Sequence, residues 1–282
     1  MFRLWVENEK NEKAELTGSP FYESITIDGL LPPKATFNST SVANKDGEIS
    51  NSARVGIRDI SITVTPAYPV EKNRQRLYKY FSVKKEVKLY FKNQNRDLLI
   101  TGKVENFDGS LFDQKQKIVI DIRCFEPYFK DSVENAVNMA SLIDLFEFPF
   151  SIENEGIEFS RVDKALTQSI SNAGDTDTGL IIELTANGEV VNPTIYNVET
   201  KEYFGLTITM QYGDLIRINT NVFNKKVELV RYGETRNIIN YIKKGNKWLQ
   251  ITPGENVFTY QCESGEEFLN FKFIYSNLYE GV

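Results

Sequence analysis

The sequence predicts a mainly β protein of two domains with a single helix, and three observations carry that expectation. Apolar residues recur with period two in short segments along most of the 282 residues, the pattern of half-buried strands. In the first half, only the segment from Val70 to Phe81 carries an apolar stripe at helical spacing. The alternation breaks at "CFEPYF" near the middle of the chain. From Ser160 onward, strand candidates follow at roughly ten-residue intervals between Gly, Asn and Pro turns, the signature of a β-sandwich.

Taken in order, "SITIDGLLPP" places Ile25 and Ile27 on one face of a short strand, and Asp28-Gly29 with Pro32-Pro33 supply the turn after it. "NKDGE" over 44–48 is a second turn joining two strands. In "RDISITVTP", Ile60, Ile62 and Val64 share one face and Ser61, Thr63 and Thr65 the other, with Pro66 as the end. "VEKNRQRLYKYFSVKK" sets Val70, Leu77, Tyr78 and Phe81 on one helical face and keeps Lys72, Arg74, Arg76 and Lys79 off it, a helix packed on a sheet.

Alternation returns in "VKLYF" (Val87, Leu89, Phe91), in "LLITGKV" and over 118–124, where Ile118, Ile120, Ile122 and Cys124 share a face. Pro127 then removes a backbone donor among Phe125, Tyr128 and Phe129, which ends that strand. The next segment, "VENAVNMASLIDLF", is compatible with a helix, and "EFPFSIENEGIEF" reads as a linker. Beyond it, "LIIELTANG", "PTIYNV", "YFGLTITMQYGD", "LIRIN", "KKVELV", "WLQITPGEN", "VFTYQC" and "FLNFKFIY" supply the strands of the sandwich. The domain expectation is therefore residues 1–130, a linker over 131–156, and a second domain over 157–282.

Composition prunes the function classes. A formal net charge of −6 gives no general attraction to nucleic acid or anionic lipid. No apolar run is long enough to span a bilayer and no secretory signal opens the chain, so the expectation is a product of the cytosol, or one that leaves it within something larger. Histidine is absent, which removes Ser-His-Asp and Cys-His nucleophile systems and histidine-ligated metal sites. Carboxylate-pair chemistry survives that cut, since 39 Asp and Glu are present. Cys124 and Cys262 lie on opposite sides of the break and read as buried small hydrophobes, with no disulfide implied. No phosphate-cradling glycine loop or nucleophile elbow is present.

Several motifs stay open between two readings. "NAGDTDTG" over 172–179 is a plain turn or a fragment of a calcium loop that lacks the downstream Glu. Trp248, Tyr241, Tyr232 and Phe258 pack in the core or line a sugar-stacking platform. Arg58-Asp59, opening the strand that continues with Ile60, is a local ion pair and edge charge or a subunit contact.

Read together, "YESITIDGLLPP", "DGEISNSARVGIRDISITV", the strand ending "RCFEPYF", "SISNAGDTDTGLIIELTANGEVVNPTIYN" and "GLTITMQYGDLIRINT" resemble, over nearly all of the chain, the distal tail proteins of long-tailed, non-contractile bacteriophages. The chain departs from that family in Phe125-Glu126 before Pro127 and in the long helix-compatible stretch at 131–150. The resemblance implies an N-terminal ring-forming domain, a C-terminal galectin-like sandwich and a homo-hexamer at the virion tail tip, made in the host cytoplasm. It implies as partners the tail tube protein, a hub or fibre protein and the receptor-binding machinery, with no cofactor and no catalysis.

On that reading Pro127, Tyr128 and Phe129 form the domain hinge, the two aromatics seating the linker. Arg58, Asp59 and Ile60 begin an edge strand over 58–65 that a ring pairs across subunits. The rival expectation is a carbohydrate-binding module recognising host cell-wall polysaccharide, with Trp248 as the stacking residue.

Overall fold

The computed structural model describes residues 2–138, 140–144, 160–164 and 167–282. They divide into two compact units, Met1–Ser132 with Leu278–Val282, and Val133–Asn277. The first unit contains β1 (Arg3–Asn8), β2 (Lys13–Glu15), β3 (Tyr22–Asp28), β4 (Ala35–Ser41), β5 (Glu48–Val55), β6 (Arg58–Pro66), α1 (Val70–Tyr80), β7 (Glu86–Lys92), β8 (Asp97–Gly109), β9 (Ile118–Cys124) and β10 (Phe129–Asp131). The second contains β11 (Asn135–Asn138), β12 (Ala140–Asp144), β13 (Ser160–Lys164), β14 (Thr167–Asn172), β15 (Thr178–Ala186), β16 (Val190–Val191), β17 (Thr194–Asn197) and β18 (Tyr203–Gly205). It continues with β19 (Thr209–Met210), β20 (Leu215–Asn219), β21 (Lys226–Arg231), β22 (Glu234–Asn237), β23 (Gln250–Ile251), β24 (Gly254–Gln261) and β25 (Leu269–Tyr275). β26 (Leu278–Tyr279) belongs to the first unit again.

The first unit is an open antiparallel sheet in the order β2-β1-β7-β8-β9-β6-β3, with β10 against β8 and β26 against β10. Its buried face follows the alternation: Ile60, Ile62 and Val64 on β6, Ile118, Ile120, Ile122 and Cys124 on β9, and Val87, Leu89 and Phe91 on β7 are all buried. α1 closes this face by burying Leu77, with Phe81 just after it, while Tyr78 of the expected stripe is 43% exposed and lies edge-on to Phe107 at 4.8 Å. The sheet's first strand, β1, buries Leu4 and Val6 against the same core. β4 and β5 pair only with each other, as a separate two-stranded sheet.

Two larger open sheets carry the second unit's core, beside the two-stranded pairs β12-β13 and β16-β19. One has the order β11-β25-β15-β20-β21-β22, with β23 on β15; the other is β14-β24-β17-β18. Phe258 and Tyr260 of β24 meet Phe273 and Phe271 of β25 at centroid separations of 5.3 and 4.5 Å. The two sheets thus share one apolar core between them, the architecture of a sandwich.

Three expectations change. The helix over 133–146 is replaced, where described, by strands: Asn135–Asn138 pairs antiparallel with β25, and Ala140–Asp144 with Ser160–Lys164. The segment's helix-compatible residues had no core stripe to enforce a helix, and a free sheet edge claimed its backbone instead. Residues 133–138 accordingly lie within the second unit, not in a linker, while "EFPFSIENEGIEF" and the expected boundary at 157 fall outside the described residues. Finally, β6 is no edge strand: it pairs with β3 on one side and β9 on the other, so its backbone groups are used within the chain and cannot pair across subunits.

Candidate functional site

The residues singled out around the mid-chain break converge on one structural knot. Arg58 is only 4% exposed, and its guanidinium donates to four backbone carbonyls: Pro127 O and Gly29 O at 2.6 Å, Leu31 O at 2.9 Å and Glu280 O at 2.6 Å. It also lies 4.6 Å from the centroid of Phe129. Burial pulls the Arg58 pKa below its ordinary value, and carbonyl dipoles compensate for the lost water. Gly29 is required here twice over. Its φ is +90°, and a Cβ would fall 2.2 Å from the carbonyl oxygen of Asp59.

Arg58 and Ile60, which is fully buried, are therefore interior residues. Asp59 alone of the three faces solvent, paired with Arg123 at 3.1 Å. Pro127, Tyr128 and Phe129 all precede the boundary at Ser132. Phe129 is buried in the first unit's core, edge-on to Phe91 at 5.5 Å and opposite Tyr279 in the sheet. It seats the returning C-terminal strand. Sequence reasoning missed this because Gly29, Leu31, Pro127 and Glu280 are brought together only by the fold.

Trp248 is half-buried against the second core, 5.2 Å from Phe204, with Lys225 Nζ 5.6 Å from its ring. Phe258 is fully buried, whereas Tyr232 and Tyr241 are 89% and 49% exposed. The aromatic set thus splits between core and surface. Cys124 is buried and Cys262 half-buried; burial pushes the Cys124 thiol up to about 12, so it is no nucleophile at neutral pH. "NAGDTDTG" is a turn organised by buried Asn172, whose side-chain oxygen accepts from Gly174 N–H at 2.9 Å.

On the open face of the first unit, Asp28, Asp59, Glu105, Asp121 and Arg123 line a cleft of about 470 Å³. Arg123 bridges Asp59 and Glu105, and Asp121 accepts from the Ser61 hydroxyl at 2.7 Å. Elsewhere, burial pushes the Glu7 carboxyl up, but hydrogen bonds from Lys13, Lys88 and Tyr90 bring it below its ordinary range. Every displaced carboxyl among the described residues moves downward, at Glu7, Glu9, Glu12, Asp214 and Glu255. Such groups are fixed anions of ion pairs and hydrogen bonds; a general acid needs the opposite displacement.

The surface with unmet packing is the β4–β5 hairpin. Every residue of β4 is exposed and so is β5 up to Arg54, with Phe37 at 65% and Ile49 at 59%. The polar, β-branched segments "ATFNSTS" and "EISNSARV" around the Asp46-Gly47 turn specify a hairpin without specifying a buried face.

Comparison with known proteins bears on this arrangement. Residues 173–279 match the family described as the siphovirus-type tail component, C-terminal domain. Among solved structures, the Dit protein of phage SPP1, described as a paradigm of the hub adsorption apparatus in phages infecting Gram-positive bacteria, is similar at a TM-score of 0.66 and 9% identity, covering 98% of each chain. A chain of the phage P2 baseplate in its activated conformation with calcium is similar at 0.55 and 10% identity, covering 100% of each. Compared by sequence with curated proteins, the chain matches none. The resemblance to distal tail proteins read from the sequence is thus supported by a sequence match over most of the second unit and by the fold over the whole chain. What these matches show is a phage-tail family's C-terminal domain within the second unit and, over the whole chain, the fold of Dit and baseplate proteins.

Proposed function

We propose that this chain is a structural virion protein of a long-tailed phage or prophage, forming a hexameric ring at the tail tip or baseplate. The ring joins the tail tube protein to the tail-tip hub or fibre protein and to the receptor-binding machinery, and the chain itself catalyses nothing. The observation that carries the ring is the β4–β5 hairpin. A lone two-stranded hairpin exposed on both faces is marginally stable in water, and this one presents Phe37 and Ile49 to solvent. A second copy that receives the hairpin buries those side chains, and repeating that heterologous contact closes a ring. The count of six rests on the resemblance alone. The tail-tip location and its partners are supported by the hub and baseplate proteins to which the fold is similar.

The test is light scattering and negative-stain imaging of the full chain beside a variant in which residues 36–54 are replaced by a short Gly-Ser turn. The full chain is expected as a six-membered ring, free or on contact with tail proteins, and the variant as a folded monomer. A full chain that stays monomeric at every concentration and forms no ring in assembled tails, or a variant that still closes rings, sinks the reading.

A further inference from the structure

Tyr232 stands where local chain physics calls for another residue. The two-residue turn Tyr232-Gly233 joins β21 to β22, with Arg231 opposite Glu234. Both turn residues have positive φ, 52° and 80°. That is a type I′ geometry, whose first position suits Asn, Asp or Gly and strains a bulky side chain. Asn11, Asn44 and Asn192 take such a φ, as do Lys84 and Lys201, and Tyr232 is the only aromatic among the described residues to do so. Its side chain repays none of the strain by burial, being 89% exposed. Strain kept at an exposed aromatic is a mark of use.

A second tyrosine shares its place in the fold. Tyr212, 80% exposed, lies in the turn between β19 and β20. β20 is the neighbour of β21, with Leu215 opposite Val230, so both tyrosines leave the same end of the sheet from strands about 5 Å apart. The two turns are locked together. Arg231 Nε donates to Asp214 Oδ1 at 2.8 Å, a second guanidinium nitrogen donates to Oδ2, and the same nitrogen reaches Thr209 O at 3.2 Å. Asp214 is 2% exposed and also accepts from Gln211 N–H at 2.8 Å. A buried ion pair contributes little net stability, but it fixes geometry. Phe268 stands at the same end, just before Leu269, which pairs with Ala186. Its ring is seated on Gly188, where a Cβ would come within 2.5 Å of it.

The large apolar side chains exposed by these turns are all aromatic, Tyr212, Tyr232 and Phe268. Around them Gln211, Asn187, Glu189, Glu234 and Glu267 are exposed, while the charge of Arg231 is spent on Asp214. A protein-docking core would mix in aliphatic side chains. Flat aromatic faces beside hydrogen-bond acceptors, with both nearby guanidinium groups, Arg231 and Arg236, facing carboxylates, suit the C–H faces and hydroxyl donors of a sugar better than an anionic polymer.

We propose that this end of the second unit binds a neutral oligosaccharide, with Tyr212 and Tyr232 as its stacking platforms. The role goes beyond the ring reading and stands or falls separately from it. The experiment is calorimetry of the full chain against neutral oligomers of N-acetylglucosamine, glucose and galactose, with poly(glycerol phosphate) as the anionic probe. It is repeated with Tyr232→Asn and Tyr212→Ala. Because Asn fits the turn better than Tyr, Tyr232→Asn is expected to melt at or above the parent temperature, so lost binding cannot be laid to lost folding. Millimolar binding of a neutral oligomer, weakened about tenfold or more by each substitution, is the result expected. No saccharide bound at millimolar concentration, binding unchanged in both variants, or binding of the anionic probe alone overturns the proposal. So does a pull-down in which the variants keep the sugar but lose a tail protein.

Discussion

Arg58 shows how far a residue's role can depart from its sequence context. An arginine followed by aspartate at the start of a strand reads as a surface charge, yet it is Asp59 that faces solvent and pairs with Arg123. Arg58 turns inward to gather four carbonyls. Arg58→Ala is expected to leave those carbonyls dry and to cost about 3 kcal/mol or more. Arg58→Lys recovers only part, because one ammonium cannot reach four divergent acceptors. Urea melts of both variants decide it, and a loss below about 0.5 kcal/mol would remove Arg58 from this role. Asp214 makes a pH prediction at the same scale. Burial pushes its carboxyl up, but hydrogen bonds from Arg231 and the Gln211 amide hold it below its ordinary value. A carboxyl depressed in the folded state stabilises fully above its unfolded pKa, near 4, and that contribution fades as pH falls through the lower folded value. Denaturant melts from neutral to acid should therefore show a steeper acid loss for the parent than for Asp214→Asn; identical slopes would contradict the assignment.

At the scale of elements, alternation made most of the strands legible. Where the alternation defines a face, as in β6 and β9, the expected strand is there with that face inward, and β15 and β25 stand where strands are expected. β1 carries only two buried apolar residues, Leu4 and Val6, too few to make a pattern. What a single strand cannot reveal is its neighbours. β6 read as an edge because nothing in "RDISITVTP" says that β3 and β9 flank it. The segment at 133–146 failed for the converse reason: its local preference was weak, and pairing with β25 decided β11. The candidate surfaces were half legible. The turn at Asp46-Gly47 stands in the sequence, but the Tyr232-Gly233 turn, the exposure on both sides of β4–β5 and the alignment of Tyr212 with Tyr232 emerge only once the strands are paired.

Across the whole molecule, the chain leaves the first unit at Ser132 and re-enters it at Leu278, so the second unit is an insertion and the first is built from two distant pieces. The returning piece is small but well anchored. Leu278 and Tyr279 pair with Lys130 and Phe129, Arg96 lies 4.5 Å from the Tyr279 ring and donates to Gly281 O at 2.9 Å, and Glu280 O is one of the four carbonyls on Arg58. Deleting 278–282 exposes Phe129, strands a β10 edge and leaves Arg58 with a donor unmet. Apolar burial alone makes that loss about 3 kcal/mol, before the charged hydrogen bonds are counted. The second unit keeps both its sheets and its core in such a truncation. Calorimetry of the truncated chain should accordingly show the first unit's transition shifted to lower temperature while the second unit's stays in place. Residues 1–132 expressed alone should give poorly dispersed amide spectra that sharpen when a peptide of 275–282 is added. If residues 1–132 fold alone with the stability they have in the full chain, the return strand is an ornament and the insertion view of this architecture is wrong.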